Sequence, residues 1–158
     1  MGRHSVSEAS EDELLAFQTA TRDLVGLALR SVERANLTIP QYRLLQVLAD
    51  LGTVSSSRCA KALGVAGSSV TRLADRLHAA GYLVRGDDPD NRSVVTLSLT
   101  TTGRRAVRQV TAHRSKELAR ALRGLDPDER AACVNVLTAL HDRLGVGADD
   151  DAAHPLPV

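Results

Sequence analysis

The sequence predicts a mainly α-helical (α+β) fold that contains six helices and one two-stranded β-hairpin. Apolar residues recur at three- to four-residue steps through most of the chain, which is the period of amphipathic helices. Between residues 82 and 99 this period gives way to β-branched residues that follow a Pro-Asp turn, as in a hairpin. Only 2% of the 158 residues are aromatic, so the core is expected to consist of Leu, Val and Ala.

The first two helices are predicted from the residues at their ends. Ser10 and Glu13 form the S-x-x-E pattern of a capping box, which places the first helix at residues 11–36. Pro40 fits the first turn of the second helix, where its missing N–H costs nothing. Gly52 is the residue at which this second helix is expected to end.

Two further short helices and a hairpin follow without interruption. Helices are expected at residues 58–63 and 68–80, joined by a glycine-bounded turn at 64–67 that has about the length found in a helix-turn-helix. Strands are expected at residues 82–85 and 94–99, on either side of Asp, Pro and Asn residues that favour turns. Two short helices followed at once by a hairpin are typical of a winged helix-turn-helix, a unit that binds DNA.

The last two helices complete the predicted organisation. Gly124 separates a long helix from a final one, which Asp126 and Pro127 begin and Gly145 ends. The chain is therefore divided into a flexible N-terminus (1–10), a helical region on both sides of the winged unit (11–36 and 104–145), the winged helix-turn-helix (37–103) and a disordered acidic tail (146–158).

The distribution of charge supports an interaction with nucleic acid. Residues 58–108 carry nine Lys and Arg against four Asp and Glu, whereas the segments before and after are each slightly acidic. A basic middle between acidic flanks is what phosphate binding by one module would require. On its own this segment is also consistent with a solvated surface.

The second helix of the unit is expected to enter the major groove with its first turns against the base edges. Arg72 can donate two hydrogen bonds to a guanine, and Arg76 can reach a phosphate or pair with Asp75 or Asp90. The opposite face is expected to pack inward through Val70, Leu73 and Leu77. The predicted DNA-binding residues are Ser55, Ser57, Arg58, Gly67, Ser68, Ser69, Thr71, Arg72, Arg76, Asp90 and Arg92.

Some of these residues also have a simpler interpretation. Ser55, Ser57 and Arg58 can contact phosphate at a helix N-terminus, but serines are expected there as helix caps in any case. Arg72 and Arg76 can be ordinary solvated helix residues when taken outside the motif.

Several short motifs follow one another along the chain. They are Leu37-Thr38-x-x-Gln41, Ala60-x-x-Leu63-Gly64-Val65, Ser69-Val70-Thr71-Arg72-Leu73-x-Asp75-Arg76-Leu77, Gly81-Tyr82-Leu83-Val84-Arg85, Asp88-Pro89-x-x-Arg92 and Leu99-Thr100-x-x-Gly103. Together they resemble the MarR family of bacterial transcriptional regulators over roughly residues 11–144. The resemblance implies a homodimer that is held together by the first and last helices. This dimer would bind a pseudo-palindromic operator on double-stranded DNA and repress transcription.

The resemblance also implies a small effector and a basic wing. Phenolic or other anionic effectors would bind between the dimerisation helices and the winged unit, where Arg22, Arg30 and His113 are candidate contacts. The usual wing tip is Asp-Pro-x-Asp-Arg-Arg, but this chain has Asn91-Arg92-Ser93 at its end. One acid and one arginine are therefore missing, and Arg92 remains the candidate minor-groove contact.

Other classes of protein are disfavoured by the sequence. No nucleophile elbow, phosphate loop or metal-ligand spacing occurs, so neither an enzyme nor a metal or other cofactor is predicted. Cys59 and Cys133 are expected to pack as apolar residues rather than to sense oxidants. No signal peptide or membrane span is found, so a cytoplasmic protein is expected. The alternative function is a winged helix that binds proteins and never DNA.

Overall fold

The computed structural model describes residues 8–89 and 91–145, and the predictions for Asp90, for most of the N-terminus and for the tail at 146–158 lie outside these residues. Within the described residues six helices are found, as predicted: α1 (Glu11–Glu33), α2 (Ile39–Leu51), α3 (Ser56–Leu63), α4 (Gly67–Ala79), α5 (Thr101–Leu122) and α6 (Pro127–Gly145). The strands are β1 (Val54–Ser55), β2 (Leu83–Asp87) and β3 (Val95–Leu99).

The small sheet contains one strand more than the predicted hairpin. Its order is β1-β3-β2 with antiparallel pairing throughout, and Val54 lies opposite Leu97 while Leu83 lies opposite Leu99. The expectation of a two-stranded sheet was therefore incomplete, because a strand of two residues is too short to carry an alternating pattern. The extra pairing fixes the start of α3 against the hairpin.

Capping explains where the helices begin. Ser10 and Glu13 form the predicted capping box of α1, and hydrogen bonds from the backbone and side chain of Ser10 lower the pKa of the exposed Glu13 carboxyl. Thr38 and Gln41 form a second capping box on α2, with Pro40 in its first turn as predicted. Because Ser55 caps α3, this helix begins at residue 56, two residues earlier than predicted.

The buried core lies in the winged unit. It combines Leu44, Leu45 and Leu48 of α2 with one face of α4 and with Leu97 of β3. The first and last helices contribute little, since among the described core residues only Val32 belongs to α1 and none belongs to α6. Among residues 8–89 and 91–145, no helix has both the length and the apolarity that a membrane crossing requires.

A close contact joins the end of the helix-turn-helix to the start of α5. The Thr100 hydroxyl donates towards the carbonyl oxygens of Gly81 (2.7 Å) and Tyr82 (3.1 Å), and it accepts from the backbone N–H of Gly103. A Cβ atom on Gly103 would lie 2.0 Å from the Tyr82 carbonyl oxygen, so only glycine fits there. The Thr100-x-x-Gly103 motif therefore fixes α5 against the turn that follows α4.

The two cysteines differ in their surroundings. Cys59 is fully buried in the core, as predicted, and burial raises the pKa of its thiol. Cys133 is only partly buried, because α6 does not pack extensively against any other described element. Its predicted packing as an apolar residue is therefore not found within this chain.

Alkylation should distinguish Cys59 from an exposed thiol. We expect iodoacetamide at neutral pH to leave Cys59 unmodified in the native protein, because a buried thiol with a raised pKa holds little reactive thiolate. Peptide mass spectrometry measures the modification, and protein unfolded in guanidinium serves as the fully reactive control. Modification of Cys59 at the same rate in both samples would contradict its assignment to the core.

Candidate nucleic-acid interface

Helix α4 has one buried face and one face directed to solvent. Val70, Ala74 and Leu77 are at most 1% exposed, and Leu73 packs against the same core while partly buried. The predicted inward face is thereby confirmed, with Ala74 added to it. The other face is exposed or half-exposed and carries small or polar side chains, namely Ser68, Ser69, Thr71, Arg72, Asp75 and Arg76.

The arginines on the outer face of α4 are available to a ligand. Arg72 and Arg76 are both exposed, and neither forms an ion pair or side-chain hydrogen bond with another described residue. The predicted alternative pair of Arg76 with Asp75 is wrong, because Asp75 is paired with Arg85 instead. The other predicted partner, Asp90, lies outside the described residues. Unpaired guanidinium groups can donate to phosphate or base edges without first breaking an ion pair.

Arg85 links the wing to the helix that carries these arginines. From β2, its Nη2 atom lies 2.6 Å from Oδ1 of Asp75 and donates to the backbone oxygen of Thr71 at 3.4 Å. Since both side chains are partly exposed, this pair contributes about 1 kcal/mol or less to stability. It also neutralises Asp75, the only acidic residue of α4, which is adjacent in sequence to Arg76.

Ser55, one of the predicted DNA contacts, has a structural role at the N-terminus of α3. The Ser55 hydroxyl accepts from the backbone N–H of Arg58 at 3.3 Å and shares a hydrogen bond with the Ser57 hydroxyl at 3.1 Å. Ser55 is thus a helix cap, whichever further contacts it makes. Ser57 and the Arg58 side chain are exposed beside it.

The wing tip is closed by hydrogen bonds around Arg92. The backbone N–H of Val94 donates to the carbonyl oxygen of Asn91 at 2.9 Å, and Asn91 Oδ1 accepts from the backbone N–H of Ser93 at 3.1 Å. The Asn91 side chain therefore shapes the turn, at a position where the usual wing tip of the resembled family has an aspartate. Arg92 is exposed on this turn. Arg85 joins α4 to β2, one of the two strands of the hairpin that carries this tip.

Comparisons with known proteins agree on one family. A sequence model described as the MarR family matches residues 35–92. The RV1404 protein of Mycobacterium tuberculosis, for which a crystal structure is known, is 38% identical to this chain in sequence. The two structures superpose with a TM-score of 0.80 over 87% of this chain and 97% of RV1404. The chain belongs to the MarR family. It is accordingly a DNA-binding transcriptional regulator with a winged helix-turn-helix, as the sequence predicted.

Two further relatives extend over most of this MarR-family chain. The HTH-type transcriptional repressor MdtR of Bacillus subtilis is 29% identical over 136 residues, which is 86% of this chain and 88% of the relative. The YusO protein of Bacillus subtilis is 29% identical, with a TM-score of 0.75 over 85% of this chain and 99% of its own. The likeness therefore includes the first and last helices as well as the winged unit.

In the described part of this MarR-family chain, the predicted effector residues Arg22, Arg30 and His113 form no hydrogen bond with one another. Arg22 and Arg30 are exposed on α1, and His113 is half-buried on α5. The residue that joins α1, α2 and α5 is instead Arg114, whose Nε donates to Ser31 Oγ at 2.9 Å and whose guanidinium lies 4.8 Å from the centre of the Tyr42 ring. Sequence reasoning missed Arg114, because its partners Ser31 and Tyr42 lie on helices that are distant from it in sequence.

Proposed function

We propose that this protein is a homodimeric repressor that binds a pseudo-palindromic operator and releases it when a small anionic effector binds. The observation that supports this most strongly is the exposure of two arginines of one unit, Arg72 on α4 and Arg92 on the wing, neither of which pairs with another described residue. Arg72 is proposed to contact base edges in the major groove, and Arg92 to contact the minor groove. Ser57, Arg58, Ser68, Ser69, Thr71 and Arg76 complete the proposed interface.

The division of labour along the chain is part of this proposal. Residues 37–103 form the DNA-binding unit, and residues 11–36 and 104–145 form the dimerisation region. Support comes from apolar side chains that no described element covers. Those exposed by more than a third on α1, on α6 and near the end of α5 are Leu14, Leu15, Phe17, Leu24, Val25, Leu29, Leu118, Leu122, Leu125, Val134, Val136, Leu137 and Leu144. A second copy of the chain is proposed to cover them.

A charge placed in this apolar surface should weaken the dimer. Leu137 on α6 is 52% exposed, and we expect Leu137→Lys to weaken dimerisation about tenfold or more, because it removes from each subunit about half of the roughly 1.5–3 kcal/mol that full burial of a leucine contributes. Light scattering after size-exclusion chromatography over a dilution series measures the mass. Val84→Lys is the matched control, since Val84 is 45% exposed on β2, outside the proposed interface. Equal behaviour of the two variants would contradict this interface.

The DNA-binding part is tested by titrating DNA taken from upstream of the protein's own gene. Fluorescence anisotropy over a range of salt concentrations should give an affinity whose logarithm falls with the logarithm of salt, with a slope of about −0.9 per phosphate neutralised. Scrambled DNA is the control for sequence preference. An absence of binding down to about 50 mM salt would instead favour a winged helix that binds proteins.

The effector is proposed to be a small phenolic or other anion. Arg22, Arg30 and His113 are its proposed contacts near the junction of the dimerisation region with the winged unit. No reaction is proposed for the protein, because binding and release of DNA require no catalytic group.

A further inference from the structure

Three helices meet at the side chain of Arg114, which belongs to α5. Its Nε donates to Ser31 Oγ of α1 at 2.9 Å, and its Nη2 donates to the carbonyl oxygen of Ala28 at 3.5 Å. Its guanidinium also lies over the ring of Tyr42 in α2, with 4.8 Å between Cζ and the ring centre. Arg114 therefore connects the first helix of the winged unit to two helices that continue into the proposed dimerisation region.

The contacts of Arg114 are directional. Arg114 is half-buried, and it forms no ion pair with a carboxylate among residues 8–89 and 91–145, so its burial costs free energy unless its N–H groups and its charge find partners. Ser31 is 1% exposed, and its hydroxyl donates to the Ala28 carbonyl oxygen at 2.7 Å while it accepts from Arg114. These partners are met together only in one arrangement of α1, α2 and α5, whereas apolar packing has no preferred direction.

The angle of α1 is sensitive to this contact because α1 is buried only near its C-terminal end. Its buried residues are Ser31 and Val32, whereas Leu14 near its start is 51% exposed. The helix extends about 30 Å from Ser31 back to Glu11, so a rotation of about 10° at Arg114 moves the far end by about 5 Å. That far part carries exposed apolar side chains that are proposed to contact the second subunit. The angle at Arg114 therefore affects where the second subunit lies.

We infer that Arg114 is a positioning residue that fixes the two winged units relative to each other, and thereby determines the operator half-site spacing that the protein prefers. The inference rests on the proposed dimeric repressor, and it requires neither a bound ligand nor a contact of Arg114 with DNA. One additional base pair between two half-sites moves them apart by about 3.4 Å and rotates them by about 34°. A displacement of about 5 Å in the subunit contact is larger than this step, so loss of Arg114 makes arrangements that fit several spacings accessible.

Anisotropy titrations of the full chain test this, on duplexes whose two half-sites are moved in one-base-pair steps. We expect the wild type to prefer one spacing about tenfold or more over spacings two base pairs longer or shorter. Arg114→Met keeps a long side chain but removes the charge and the donors, and it should reduce this preference to about threefold or less. Affinity for a duplex with a single half-site should change by less than about twofold, because Arg114 lies outside the proposed DNA contacts.

Three further variants separate geometry from charge and from general damage. Arg114→Lys keeps the charge but has no Nε donor and no planar group, so it should behave like Arg114→Met. Ser31→Ala removes only the acceptor, and it should reduce the spacing preference by a smaller factor than Arg114→Met. The matched control is Arg105→Met, which removes an exposed arginine of the same helix and should keep the spacing preference of the wild type. Thermal unfolding and light scattering check the fold and the dimer of each variant.

Several results would overturn the role of Arg114. They are an unchanged spacing preference in Arg114→Met, an equal loss of affinity on the single half-site and on every spacing, the same change in Arg105→Met, and a wild-type preference in Arg114→Lys. Binding of the wild type to its upstream DNA judges the proposed function separately.

A measurement without DNA decides the role of Arg114 if the wild type binds no DNA and the proposed function fails. Pulsed EPR gives the distances between spin labels on Val84→Cys in the two wings of a dimer, with Cys133→Ala as the background because Cys59 is buried. A broader distance distribution in Arg114→Met supports the role, and equal distributions overturn it. A monomeric wild type would overturn both the role and the proposed function.

Discussion

Replacing Gly103 by alanine should destabilise the fold by about 3 kcal/mol, the upper end of the usual range for forcing extra atoms into a packed site. The added Cβ would lie 2.0 Å from the Tyr82 carbonyl oxygen and 3.1 Å from Cδ2 of Leu99. The first of these contacts involves backbone, so no side-chain rotation can relieve it. Urea unfolding at a fixed protein concentration measures the change, because stability of a dimer depends on concentration.

The surroundings of Tyr82 explain why the backbone cannot easily move away. Its carbonyl oxygen accepts from the Thr100 backbone N–H at 3.1 Å and from the Thr100 hydroxyl at the same distance. The preceding Gly81 has a φ of 76°, a left-handed conformation that ends the α4 region and that other residues adopt with difficulty. A shift of Tyr82 would therefore displace the end of α4, so Gly103→Ala should also weaken DNA binding.

Gly124→Ala is the matched control for this substitution. The nearest atom to a Cβ on Gly124 is the Ala121 carbonyl oxygen at 3.5 Å, which is ordinary van der Waals contact. We expect a change in unfolding free energy within about 0.5 kcal/mol for this variant. Similar destabilisation by both substitutions would show that loss of glycine flexibility, and not the contact with Tyr82, determines the effect.

The helices were predictable because the signals that begin and end them are local. Ser10 with Glu13, and Pro40 with Gly52, lie within one or two turns of the helix ends that they define. The β1 strand could not be predicted in the same way, because its two residues become a strand only by pairing with β3, about forty residues away. The same applies to Gly103, whose need for glycine depends on the Tyr82 carbonyl.

In the candidate site, too, the features set by local sequence were predictable and those set by contacts between distant elements were not. Exposure of Arg72 followed from helical periodicity, which placed it opposite Val70 and Leu77. The pairing of Asp75 with Arg85 depends on how β2 crosses α4, and no spacing rule within one element reveals it. Likewise, Arg114 reaches Ser31 across 83 residues of sequence, a contact that no local pattern predicts.

Arg72→Ala should cost this regulator most of its sequence preference. A bidentate contact from arginine to guanine contributes roughly 1–3 kcal/mol of discrimination, so we expect about 10- to 100-fold weaker binding to the operator and little change on scrambled DNA. The exposed position of Arg72 and the absence of a described partner mean that its removal leaves the fold intact. Anisotropy titrations on both DNAs, with thermal unfolding as a check of the fold, measure the effect.

Arg92→Ala provides the comparison that separates base contacts from general attraction. Arg92 lies on a turn shaped by Asn91. Loss of its contact to the narrow minor groove or to the phosphates should weaken binding to both DNAs by a similar factor. The salt dependence should then fall by about one unit of slope, because one phosphate fewer is neutralised. Arg123→Ala, at the C-terminal end of α5, controls for the loss of one positive charge far from α4. Equal and small effects of Arg72→Ala and Arg92→Ala would contradict the proposed roles of both, since two independent contacts to DNA cannot both be lost without cost.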